Sequence, residues 1–187
     1  MVDKSIALLL IDIQMAFVER EKGGAVRSMP SAEENIACIL AHFRENDGRV
    51  IHIHHHSKEP GSAFRADLPG AVVQPFVVPR DGEAVYVKHV NSGFIGTSLE
   101  ADLRANGVDR LIMCGATANH CVETTTRMAG NLGFDVFYLS DGVWAYSATG
   151  PDGREHHADD VHSNTLCSLD GEFATVVTVD EMIGQLA

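Results

Sequence analysis

Apolar residues in this chain gather into short continuous runs rather than alternating with polar ones. Six runs read as strands: residues 5–11, 49–54, 84–87, 110–114, 134–139 and 174–179. Continuous runs suit a parallel sheet whose two faces are both covered by helices. Between the first two runs, Ile36, Ile39, Leu40 and Phe43 fall at i, i+3, i+4 and i+7, the spacing of one buried helical stripe. Ser31-Ala32-Glu33-Glu34 and Thr97-Ser98-Leu99-Glu100 match the S/T-x-x-E capping box that opens a helix. Gly48, Gly107 and Gly133 stand just before strands as helix stops, because glycine takes the left-handed conformation after a helix without a Cβ clash. Alternating strands and helices with right-handed crossovers predict an α/β fold. The expected form is a doubly wound, three-layer α/β/α, Rossmann-like architecture around a six-stranded, mostly parallel sheet. Residues 55–83 break the pattern with Pro60, Gly61, Pro69, Gly70, Pro75 and Pro79, and read as a long irregular excursion. Long loops in compact domains are often functional.

Composition narrows the partners. A length of 187 residues predicts one domain spanning 1–187. With 45% apolar and 21% charged residues, the chain has ordinary globular usage. A net charge of −12 repels phosphate backbones and anionic membrane surfaces, so no nucleic-acid or membrane partner is expected. The apolar run from Ile6 to Ile11 is too short for a signal peptide or a membrane span. Cys38, Cys114, Cys121 and Cys167 are widely spread with no CxxC pair, which fits reduced thiols and a cytoplasmic setting.

In an open parallel sheet, ligands bind beyond the carboxyl ends of the strands. The strand-ending residues here are polar: Asp12, the His54-His55-His56 run, Lys88, the Gly115-Ala116-Thr117 stretch leading to Cys121, and Asp141. A thiol becomes a good nucleophile as thiolate, favoured by a nearby cation and a helix N-terminus. Lys88 and a helix starting near Asn119 supply both. Asp12 has the character of a base that takes the thiol proton and returns it to a leaving amine. The competing reading makes Asp12 a loop cap, Lys88 a solvated side chain and Cys121 a small buried residue. Cys114 lies inside an apolar run, and Cys38 and Cys167 lie on predicted helices, where packing accounts for them.

Ten histidines raise the question of a metal. In an extended segment His52, His54 and His56 share one face, with His55 opposite. A second group, His156, His157, Asp159, Asp160 and His162, falls on a predicted helix without a recognised ligand spacing such as HExxH. A polar pocket wall is the preferred reading, with no metal and no cofactor. Neither GxGxxG nor GxxxxGK follows the first strand, so a nucleotide has no support.

Four landmarks, in order along nearly the whole chain, carry a family resemblance. They are Leu8-Leu9-Leu10-Ile11-Asp12-Ile13-Gln14-Met15-Ala16-Phe17, His55-His56-Ser57-Lys58-Glu59-Pro60-Gly61-Ser62, Val87-Lys88 followed by Ser92-Gly93-Phe94-Ile95-Gly96-Thr97-Ser98-Leu99, and Cys114-Gly115-Ala116-Thr117-Ala118-Asn119-His120-Cys121-Val122-Glu123-Thr124-Thr125-Thr126-Arg127. In these the chain resembles the isochorismatase-like cysteine hydrolases, which include nicotinamidases, N-carbamoylsarcosine amidohydrolase, ureido-compound amidohydrolases and streptothricin hydrolase. The resemblance implies a catalytic triad of Asp12, Lys88 and Cys121. It also implies a cis peptide between Ala116 and Thr117, with the backbone N–H groups of Thr117 and Cys121 forming an oxyanion hole. The implied reaction is hydrolysis of a C–N bond in a small amide, ureido compound or lactam through a thioester. Two alternatives stand beside it: cleavage of a vinyl ether, as in isochorismatases, and a non-enzymatic flavodoxin-like binding or redox-sensor protein with Cys121 as a low-pKa thiol.

The metal-bearing nicotinamidases place Asp-x-His after the second strand, where this chain has His55 and Ser57, so their metal triad is not reproduced. Phe17, His55, Phe64, Phe94, Asn119, Trp144 and Tyr146 are expected to line the pocket, and aromatic walls with a few polar groups suit a small, partly planar substrate. Relatives commonly assemble, so the resemblance implies a homo-oligomer, a dimer or a tetramer.

Overall fold

The computed structural model describes residues 1–186; Ala187, the last residue of the expected domain, lies outside them. Eight strands and six helices follow in the order β1 (Ile6–Ile11), α1 (Met15–Lys22), α2 (Ala32–Glu45), β2 (Arg49–His55), β3 (Ala84–Lys88), α3 (Leu99–Ala105), β4 (Arg110–Ala116), α4 (Glu123–Asn131), β5 (Asp135–Trp144), β6 (Ala148–Thr149), β7 (Glu155–His156), α5 (Ala158–Leu169), β8 (Thr175–Val177) and α6 (Val179–Leu186). Six strands form one sheet in the order β3-β2-β1-β4-β5-β8. Every neighbouring pair in it is parallel. β6 and β7 form a separate antiparallel hairpin.

The sheet divides the interior into two apolar layers. On one face, Leu8, Leu10 and Val50 pack with Ile36, Ile39, Leu40 and Phe43 of α2. On the other, Leu9, Ile11, Ile51, Ile53 and Leu111 pack with Leu103 and Ala129. The α2 stripe is buried at every one of its four positions, as its spacing requires.

Local details depart from the sequence expectations in four places. Neither capping box forms: Ser31 hydroxyl donates to the Met29 sulfur, and Ser98 rather than Thr97 is the cap of α3, its hydroxyl donating to Asp102. At the first helix stop it is Asp47, with φ 53°, that takes the left-handed conformation. Gly48 serves instead to let the Phe43 ring approach, since a Cβ there would lie 2.4 Å from it. β5 runs on to Trp144 through an irregular step that pairs Met113 with Tyr138 and Gly115 with Val143. Asp141 therefore sits inside the strand and turns away from the site, its carboxylate accepting the Val179 N–H at the start of α6. His156 lies in β7 and His157 caps α5, so the second histidine group does not share a helix.

Candidate active site

The carboxyl ends of β1, β2, β3 and β4 meet at one edge. Asp12 extends the β1 ladder by one bond, its N–H donating to Ile53 oxygen at 2.8 Å. Its φ of 54° then turns the chain out of the strand, a conformation that Asp tolerates better than most residues. Lys88 ends β3, two strands away from β1, and its side chain reaches across β2. The parallel register sets His55 opposite Lys88.

Lys88 Nζ donates to Asp12 Oδ2 at 2.7 Å and to His55 Nδ1 at 3.0 Å. The ion pair is shut off from water, with side chains 0% and 2% exposed. The second carboxylate oxygen, Asp12 Oδ1, is buried with no hydrogen-bond partner. Ligating atoms of Asp12, His55 and Cys121 lie within 4.8 Å of one another. Such a spacing also suits a bound cation, but the Lys88 ammonium already supplies the positive charge between Asp12 and His55.

Burial sets the proton affinities. It raises the Asp12 carboxyl above the ordinary carboxylate range, with Lys88 and the Cys121 thiol pulling it back. Burial, and then the Asp12 charge, push the Cys121 thiol up to about 12, against the pull of Lys88. The resting cysteine is therefore a thiol beside a carboxylate with raised proton affinity. Burial, followed by the Lys88 charge, holds His55 down at about 4, so its ring is neutral.

Cys121 lies in one turn of wide, π-type helix, Ala118–Val122, between β4 and α4. The peptide bond between Ala116 and Thr117, just before that turn, is cis. Gly115 takes φ 121°, and a Cβ on it would stand 2.0 Å from Ile11 oxygen, so only glycine lets β4 lie this close to β1. The turn is further held by Thr117 oxygen accepting from His120 N–H at 3.1 Å and by Tyr138 hydroxyl donating to Ala118 oxygen at 3.0 Å.

The expected pocket residues separate into three sets. Half-buried Phe64 meets His55 edge-on at 5.7 Å, making one wall next to Asp12, Lys88 and Cys121, and rests on buried Phe17 at 5.1 Å. Asn119, in the Ala118–Val122 turn, borders a separate cavity of about 310 Å³ with Glu123, Thr149, His156, Asn164 and Thr165. Trp144, by contrast, is fully buried and has no surface to offer a substrate. Its indole N–H donates to Tyr146 Oη, which donates in turn to Glu21, and both rings pack beneath Phe17. Phe94 is likewise buried, stacked on Phe134 with ring centres 6.0 Å apart. Trp144 and Tyr146 thus support the wall rather than form it, while Phe94 belongs to the apolar layer on the other face of the sheet.

A larger cavity of about 690 Å³ opens at the opposite edge, where β2 and β3 begin, and is lined by none of Asp12, Lys88 and Cys121. Glu83 borders it and ties His52 to Arg44: it accepts from Arg44 Nε at 2.7 Å and bonds His52 Nε2 at 2.8 Å. Cys114 is buried, but Cys38 and Cys167 are exposed, so packing does not account for those two.

Gln14 is the residue of this region that carries no marker in the sequence beyond its place two positions after Asp12. Fully buried, it donates to the oxygens of Ala71 and His55 and accepts the His55 N–H at 2.8 Å. One amide thus fastens the irregular excursion and the end of β2 to the start of α1.

Comparison with known proteins identifies the family and matches the fold. Residues 6–181 match the isochorismatase domain. The isochorismatase family protein YrdC of Bacillus subtilis is 41% identical over 177 residues, covering 95% of this chain and 94% of that protein. Maleamate amidohydrolase of Pseudomonas putida is 26% identical, covering 96% of this chain and 86% of its own. A crystal structure of an isochorismatase-family protein from Chromobacterium violaceum superposes with a TM-score of 0.93 at 42% identity, covering 98% of this chain and 94% of that one. The chain belongs to the isochorismatase family of hydrolases.

Proposed function

We propose that this protein is a cysteine-dependent amidohydrolase that cleaves a C–N bond in a small amide, ureido compound or lactam through a covalent thioester. The observation that carries the reading is the water-excluded Asp12–Lys88 pair at 2.7 Å with the Cys121 sulfur beside it. A carboxylate with raised proton affinity next to a thiol is a base placed to accept the S–H proton as the sulfur attacks. The Pseudomonas putida relative, an amidohydrolase of maleamate, supports the choice of bond.

In this mechanism Asp12 takes the thiol proton while Cys121 Sγ bonds to the carbonyl carbon. The oxyanion that forms is met by the backbone N–H groups of Thr117 and Cys121, fixed donors in a site with little water. Asp12 then passes its proton to the leaving nitrogen and the C–N bond breaks; ammonia or an amine departs, or in a lactam the ring opens with its amine still attached to the acyl group. Water attacks the thioester as Asp12 removes its proton, releasing the acid and regenerating the thiol. Lys88 keeps Asp12 ionised between steps and opposes the negative charge that gathers on sulfur.

The experiment is ammonia release from a panel of small primary amides and ureido acids, with ring opening of lactams followed by mass, comparing the parent with Cys121→Ala. Release by the parent alone supports the reading. Equal release by both proteins overturns the nucleophile. Release from no amide, with turnover of isochorismate, moves the activity to a vinyl ether.

A further inference from the structure

We infer that His55 is a positioning residue for Lys88, its Nδ1 lone pair fixing the ammonium so that it faces Asp12 and the Cys121 sulfur together. This inference rests on the triad reading given above.

An ammonium has three N–H donors and no lone pair. Lys88 Nζ spends one on Asp12 Oδ2 and one on His55 Nδ1, at 2.7 and 3.0 Å. Because Nζ cannot accept, Nδ1 must present its lone pair, and the ring proton is on Nε2. The Val90 backbone also favours a ring N–H. The imidazole stays neutral at ordinary pH, so this arrangement persists where a carboxylate at the same place would compete with Asp12 for the cation.

The ring is held as firmly as the group it orients. Gln14 grips the His55 backbone from both sides, accepting its N–H at 2.8 Å and donating to its oxygen at 3.0 Å. Phe64 closes on the imidazole edge-on. The parallel register of β2 and β3 puts the two residues side by side. A single carboxylate partner leaves the ammonium free to swing about one contact. Two fixed acceptors define its direction, and with it the direction of the third N–H.

The test uses three variants of the full chain. His55→Leu removes the acceptor. His55→Asn puts an amide oxygen near the Nδ1 position, and His55→Gln moves that oxygen towards the Nε2 position. The readouts are the rate at which iodoacetamide alkylates Cys121 at pH 8, followed on the Cys121 peptide by mass, and kcat and KM on any amide that the parent turns over. Loss of one charge-assisted hydrogen bond is expected to slow alkylation and kcat about tenfold in His55→Leu and His55→Gln, with KM within about twofold. His55→Asn should recover most of both. If His55→Leu fails to fold, the comparison of Asn with Gln carries the test.

Three results overturn the inference. Parent-like alkylation in His55→Leu and His55→Gln is the first. A raised KM with unchanged kcat, the mark of a residue that touches only substrate, is the second. An Asn variant no better than Gln is the third. Alkylation needs no substrate. If no amide yields ammonia but alkylation still follows parent, Asn, then Gln and Leu, the amidohydrolase reading fails while the positioning role stands.

Discussion

Replacing Lys88 by Met removes the charge and keeps much of the stem's volume, so it isolates the ion pair from packing. Asp12 loses its ammonium partner at 2.7 Å in surroundings where its own side chain is 2% exposed. Removing one member of a buried pair costs roughly 3–5 kcal/mol, because the other charge is left without compensation. For a domain of this size, 1 kcal/mol shifts the melting midpoint by roughly 2–4 °C, which predicts a fall of roughly 6–20 °C. The loss must also depend on pH. Burial raises the folded pKa of Asp12 even in the parent, with Lys88 holding it down, so the variant's Asp12 rises further. Its folded state then binds a proton that the unfolded chain has released. Such a group stabilises below its unfolded pKa and loses that contribution as pH rises, by up to about 1.36 kcal/mol per unit. The deficit should therefore be larger at pH 8 than at pH 5.5, measured by urea unfolding at both values with unchanged m. A double variant, Lys88→Met with Asp12→Asn, should recover most of the loss. Asn is the right partner because it accepts the left-handed backbone of position 12. A deficit below about 1 kcal/mol, or one that is the same at both pH values, refutes the reasoning.

Gly115→Ala should cost more than about 3 kcal/mol, since its Cβ meets the Ile11 backbone at 2.0 Å and neither strand can yield; a thermal midpoint near that of the parent would contradict the close approach. Iodoacetamide modification of parent Cys121 should still be accelerating at pH 9–10, because burial pushes the thiol up to about 12; a rate that levels off near pH 7 would show a resting thiolate. Burial works against ionisation of Glu83, yet Arg44, the Arg80 N–H and His52 hold it down at about 2. Its contribution is present above the unfolded value and is lost as pH falls towards 2, so Glu83→Gln should flatten the acid limb of the stability curve by about 1–2 kcal/mol after solvent screening. Identical acid limbs would remove Glu83 from that role.

The parts of the site that could be read from the chain are those tied to strand ends. Asp12 and Lys88 follow apolar runs whose lengths are fixed by the sheet, and Cys121 follows a run and a glycine turn. Parallel topology alone carries all three to one edge. Trp144 and Tyr146 misled because their run breaks at Asp141-Gly142. The break looks like the end of a strand but is an irregular step inside one, so two core residues passed for loop residues. Gln14 was missed for the opposite reason. An amide among apolar neighbours has no periodic signature, and its value lies in three partners at positions 55 and 71 that only the folded excursion brings near. The capping boxes failed because a four-residue pattern says nothing about competing acceptors such as the Met29 sulfur.

Lys88 is delivered by β3, an edge strand, which has a neighbour on one side only and leaves Val85 and Val87 45% and 38% exposed. Proteins open in local units, and an edge strand with little covering is among the first to let go. Peeling β3 from β2 withdraws the ammonium from Asp12 while β2, β1, β4, β5 and β8 stay joined. On the proposed mechanism, catalytic competence and global folding therefore have separate thresholds. Amide hydrogens of residues 84–88 that exchange faster than those of β1 and β4 would mark a population that is folded by every bulk measure and yet inactive.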